Sequence, residues 1–147
     1  IIPLVFCENR NVQMIGQAFN EVLGFTKPDP YKDFVQQLAD DYRTGSSRSS
    51  VDFAFTDAPS RHRLFPNIDG IKLLTHEGGC GGTRQDSDAL CALLAGYIHH
   101  PNTAGATILS LGCQHAQVSI LQQKLHQLNP DFKKPLLIFE QQKEGTE

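Results

Sequence analysis

The sequence has no tryptophan, a single methionine, and no apolar run near the roughly 20 residues of a membrane-spanning helix. A basic-then-apolar leader is missing too, so the chain is expected to be soluble and cytoplasmic. Basic charge is not in excess: 13 Lys and Arg against 16 Asp and Glu give a net charge of -3. That offers no surface for a phosphodiester backbone or an anionic bilayer, so neither nucleic acid nor membrane is an expected partner. The four cysteines, Cys7, Cys80, Cys91 and Cys113, include no CxxC pair, which removes zinc-knuckle and thioredoxin-like readings. At 147 residues a core can form without disulfide staples, and one domain over residues 1–147 is expected. The opening Ile1-Ile2-Pro3 has no initiator methionine and lies inside an apolar run, as in a fragment of a longer polypeptide.

What is present is a repeated unit. Apolar stretches of strand length occur at Ile1–Phe6, Ile71–Leu74, Ala104–Leu111 and Leu136–Phe139. Pro3 cannot donate to a ladder, so pairing of the first stretch is expected to lie after it. Amphipathic spacing marks helices through Val12, Ile15, Phe19 and Leu23, with Gly24 as C-cap, and through Phe34, Leu38 and Tyr42. Two more helices follow, through Leu90, Leu94 and Ile98 and through Val118, Leu121, Leu125 and Leu128. Thr83 with Asp86 opens the third of these as a variant capping box, and His99-His100 suit its C-terminal end. Residues 44–66 are a flexible connector or flap by composition, with a short alternation at Val51, Phe53 and Phe55. Strands alternating with helices mean βαβ units. The expected fold is α/β, a Rossmann-like three-layer sandwich on a mostly parallel sheet of about four to five strands.

In such sheets the turns after the strands gather along one edge, where ligands bind. Here that edge collects Cys7-Glu8, His76-Glu77 with Cys80, Cys113-Gln114-His115, and Glu140. The loop Gly78-Gly79-Cys80-Gly81-Gly82 leads into a helix start, and a glycine loop at such a place lets an anion approach backbone N–H groups. Arg84 beside it can grip a carboxylate bidentately. Thiolates at turns of this kind serve as nucleophiles, redox sensors or ligands for iron, zinc or an iron–sulfur cluster, and the residues alone leave that choice open. Cys91, among leucines, reads as a small buried hydrophobe. A dinucleotide fingerprint fails because Arg84 stands where the third glycine belongs, and no Walker lysine follows Gly82. A phosphate-binding domain and a non-catalytic scaffold module both stay open.

The stretches HEGGCGGTRQDSDALCALLAGYIHHPN (76–102), GATILSLGCQHAQ (105–117) and PLVFCENRN (3–11) resemble the altronate and galactarate dehydratase family. That resemblance implies a multidomain hydro-lyase of which this chain is the central α/β domain, with other domains of the same polypeptide as partners and oligomers allowed. It implies conversion of D-altronate or a similar sugar acid to a 2-keto-3-deoxy acid, with a divalent metal, usually iron. Sulfolactate sulfo-lyases share the module, so a related elimination of sulfite is the neighbouring chemistry. On this reading Cys7, Cys80 and Cys113 are candidate metal ligands. His76, His115 and Glu8 are candidate proton-transfer groups, and Arg84, Gly79, Gly81, Gly82 and Thr83 are candidate substrate contacts. The terminal EQQKEGTE is a degenerate form of the family's stretch after the last strand.

Overall fold

A computed structural model describes residues 1–27, 29–45 and 63–145. The elements run β1 (Ile2–Pro3), a 3-10 turn (Phe6–Glu8), α1 (Asn9–Val22), α2 (Pro30–Thr44), α3 (Arg84–His99), β2 (Ala106–Ser110), α4 (Val118–Leu128), β3 (Leu136–Glu140) and α5 (Gln141–Glu144). The chain divides into two compact units, Ile1–Phe19 with Gly70–Glu147, and Asn20–Asp69. Among the described residues no helix is long and apolar enough to cross a membrane. Val51 to Phe55 and most of the 44–66 connector lie outside the described residues.

The larger unit is α/β. Its sheet has the order β1-β2-β3, all parallel, with Ile2 opposite Ile108 and Ile108 opposite Ile138. Parallel neighbours need crossovers, and α3 and α4 supply them. These helices pack on each other and on the sheet, burying Cys91, Leu94, Ala95 and Ile98 of α3 and Leu121 and Leu125 of α4 against Ile2, Leu4 and Ile108. Each fully buried leucine or isoleucine contributes roughly 1.5–3 kcal/mol, so this cluster holds the sheet edge in place. On β3 the alternate side chains Leu137 and Phe139 are exposed, so one side of that strand faces the core and the other does not.

Local chemistry explains the helix ends. Thr83 and Asp86 form the reciprocal capping box that starts α3. In the smaller unit Asp29 accepts from the amides of Tyr31 and Lys32, Pro30 occupies the first turn, and Gly45 closes α2 at φ 69°. Within that unit the Arg63 guanidinium lies 5.8 Å from the Phe25 ring centroid.

The strands depart from expectation at two places. Residues Ile71–Leu74 form no assigned strand, although Ile1 N–H donates to Lys72 O (2.7 Å) and Leu74 N–H donates to Ile1 O (3.1 Å). Those two bonds have the pattern of one parallel rung. The next rung would require an N–H from Pro3, which has none. β1 itself is cut to Ile2–Pro3: Leu4 N–H still reaches Leu109 O (2.8 Å), but Phe6 N–H turns to Gly78 O (3.0 Å). Proline chemistry and a competing loop therefore leave three strands in the sheet among the described residues, where four to five were expected.

Candidate anion-binding site at the carboxyl edge of the sheet

Three of the turns along this edge are tied together. Gly79 lies directly on the end of β1: a Cβ there would stand 2.9 Å from Val5 Cα and would strike Leu4 O, and its φ is 98°. Only glycine tolerates both demands. Its carbonyl then accepts from His115 N–H (2.9 Å) and Ala116 N–H (3.1 Å), joining the glycine loop to the turn after β2.

That second turn is folded around one buried carboxamide. Gln114 is almost wholly buried; its Nε2 donates to Ser110 Oγ and Ala116 O, and its Oε1 accepts from Gly112 N–H (2.7 Å). The Gln117 side chain donates to the Gln114 carbonyl rather than capping its own helix. So α4 starts with no side-chain cap and no acid in its first turn; the Ile120 and Leu121 amides donate to Gln117 O (3.0 and 3.2 Å), and the Val118 and Ser119 amides have no intrahelical acceptor.

Between the start of α3 and this turn lies a cavity of about 460 Å³. Gly82, Arg84 and Ser87 line one wall, and Gln114, His115, Gln117 and Ile120 the other. Arg84 makes no hydrogen bond or ion pair with any described residue, while α4 adds the partial positive charge of its N-terminus. A guanidinium and an imidazole on the wall of a small space, beside the positive end of a helix, suit an oxyanion, and a carboxylate in particular. Asp86 does not compete for this space. Its carboxyl is held below the usual range by the Thr83 N–H and hydroxyl, which occupy it in the capping box.

Of the residues singled out by sequence, the cavity unites Gly82, Arg84 and His115. Gly79 acts as the packing joint described above, Gly81 is exposed with open space around it, and Thr83 caps α3. His76 has both ring nitrogens engaged, Nε2 with Pro3 O (2.8 Å) and Nδ1 with Gly78 N–H (3.2 Å). Glu8 is buried, with Oε2 accepting from Asn11 Nδ2 (2.9 Å), and does not line the cavity. Glu140 pairs with Lys143 at 2.8 Å, and Glu77 is exposed.

Cys7, Cys80 and Cys113 are all exposed free thiols, and none lines the cavity. Among the described residues no three His, Cys, Asp or Glu side chains are grouped so as to hold a metal ion. The three thiols lie on adjoining turns of the edge without lining this cavity. Ser87, Gln117 and Ile120 were not legible as site residues in the sequence, and Gln114 only as a member of the edge. Gln114 sat between two candidates, but its burial depends on non-local packing.

Fold and cavity define a class: an α/β domain with a parallel sheet that presents an unpaired arginine and an uncapped helix at its carboxyl edge. The description "D-galactarate dehydratase/Altronate hydrolase, second domain" fits residues 1–147, and the chain belongs to that family. Altronate dehydratase of Bacillus subtilis (strain 168) is 30% identical over 62 residues, 42% of this chain and 12% of the relative. Altronate dehydratase of Escherichia coli (strain K12) is 29% identical over 63 residues, 43% of this chain and 13% of the relative. The matched part thus spans about an eighth of each curated relative. No solved structure matches the chain.

Proposed function

We propose that this chain is the domain of a sugar-acid dehydratase that grips the substrate carboxylate, in a polypeptide converting D-altronate or a similar acid to its 2-keto-3-deoxy product. The observation that carries the reading is the unpaired Arg84 facing His115 across the cavity, in a chain that belongs to the family throughout its length. A proton α to a carboxylate is barely acidic, so it is lost only if the charge that builds on the carboxylate is stabilised. Arg84 and the positive end of α4 supply that stabilisation here. His115 donates a proton to the departing β-hydroxyl, which leaves as water, and the resulting enol becomes the 2-keto acid. The acceptor of the α-proton comes from another part of the polypeptide, because His115 is the one proton-transfer side chain on the described cavity wall. Iron is the metal implied by the family; among the described residues no three His, Cys, Asp or Glu side chains are grouped to hold it.

We also read the three-stranded sheet as the nucleus of a Rossmann-like sandwich, with the single rung between Ile1 and residues 72–74 placing that stretch beside β1. The functional reading is tested in the complete polypeptide with Arg84→Met, measuring turnover of altronate and galactarate. KM is expected to rise about 100-fold, consistent with roughly 2–3 kcal/mol for a lost charge-assisted bidentate contact. An unchanged KM would overturn the assignment.

A further inference from the structure

We propose that His76, clasped by Asn9, is a positioning residue that fixes the glycine loop and, through it, the backbone of His115. Pro3 leaves one rung of the ladder unmade. In a parallel pair continuing from Ile1, Leu74 O would accept from residue 3 and Pro3 O would accept from the amide of His76. Pro3 has no N–H, and the His76 amide points instead to Asn9 Oδ1, at a long 3.4 Å. Asn9 Nδ2 in turn donates to His76 O at 2.8 Å, so one carboxamide takes both backbone groups of His76 in place of a neighbouring strand. The imidazole takes over the vacant carbonyl, with Nε2 2.8 Å from Pro3 O.

The partners fix the tautomer. Pro3 O can only accept, so Nε2 carries the hydrogen; Gly78 N–H can only donate, so Nδ1 is the bare nitrogen. A proton or metal on Nδ1 would break the bond that starts the glycine loop. From Gly78 the chain passes to Gly79, which is wedged on β1 and accepts from the His115 and Ala116 amides. An unbroken path of hydrogen bonds and covalent links thus joins Asn9 to the cavity wall.

The kinetic test rests on the reading of His115 given above and uses the complete polypeptide. His76→Gln keeps an Nε2 donor for Pro3 O but cannot take a proton; His76→Ala removes the strut. Expected are a kcat within about tenfold of wild type for Gln and a fall of about 100-fold for Ala, with KM changed less than about threefold because Arg84 stays in place. A general base would lose about 10²–10⁴ with either substitution, so equal losses in Gln and Ala would overturn the proposal. Hydrogen exchange at the His115 and Ala116 amides needs no substrate, so it separates this proposal from the dehydratase reading. Exchange there is expected to speed up at least tenfold in His76→Ala and to stay near wild type in His76→Gln. Unchanged exchange in His76→Ala would overturn it, even if the polypeptide acts on no sugar acid.

Discussion

The Lys134 ammonium lies 2.6 Å from the carbonyl oxygen of His100 and also donates to the carbonyls of His99 and Ile98. A lysine 34 to 36 residues away in sequence thus closes the C-terminal end of α3, where histidine was expected to serve. His99 Nδ1 is buried with no partner among the described residues, so the helix end has no cap of its own from that ring. Lys134→Met keeps the apolar stem but removes the charge and its hydrogen bonds. A loss of about 1–2 kcal/mol is expected, read as a fall in the thermal midpoint and in the urea midpoint at constant slope. Unaltered midpoints would show the cap to be energetically idle.

Two helical glycines should respond to alanine with opposite signs. Gly16 of α1 is buried against Leu73: a Cβ would stand 3.0 Å from Leu73 Cγ and would strike both Cδ atoms. Overpacking of that kind costs about 1–3 kcal/mol, which exceeds the roughly 1 kcal/mol gained in helix propensity. Gly96 of α3 is exposed, with nothing within 4 Å of a Cβ. Gly96→Ala should therefore stabilise by about 0.5–1 kcal/mol and Gly16→Ala should destabilise by about 1 kcal/mol. Denaturant unfolding of the pair checks the sign of each.

The cysteines divide into three that are exposed and one that is not. Burial, helped by the nearby Asp88 charge, pushes the Cys91 thiol up to about 11 from an ordinary 9.0. At pH 8 a thiol reagent should modify Cys7, Cys80 and Cys113 in the native protein and reach Cys91 only after unfolding. The sign of the stability effect follows. Above pH 9 the unfolded chain releases this proton while the folded one keeps it. The contribution of Cys91 is therefore complete below about pH 9 and is lost as pH rises towards 11. Subtracting the pH profile of Cys91→Val from that of wild type should isolate this fall, and a flat difference between pH 9 and 11 would contradict it.

Features that depend on a few neighbouring residues were legible in advance. The Thr83–Asp86 box, the apolar faces of α3 and α4, and the β-branched cores of β2 and β3 follow from spacing and local hydrogen bonding. Arg84 and His115 were visible as candidates because the turns after strands share one edge.

The amino-acid order by itself determined the helices, the parallel α/β class and the edge on which chemistry would gather, because those depend on short-range periodicity and on the handedness of crossovers. Tertiary structure alone decided that Ile71–Leu74 falls short of a strand, that His76 binds backbone at both nitrogens, and that the cavity wall takes in Arg84 and His115 but none of the three exposed thiols. The reason is reach. A hydrogen bond or a metal ligand set depends on where side chains meet within about an ångström, and that is set by contacts between residues as distant as Pro3 and His76.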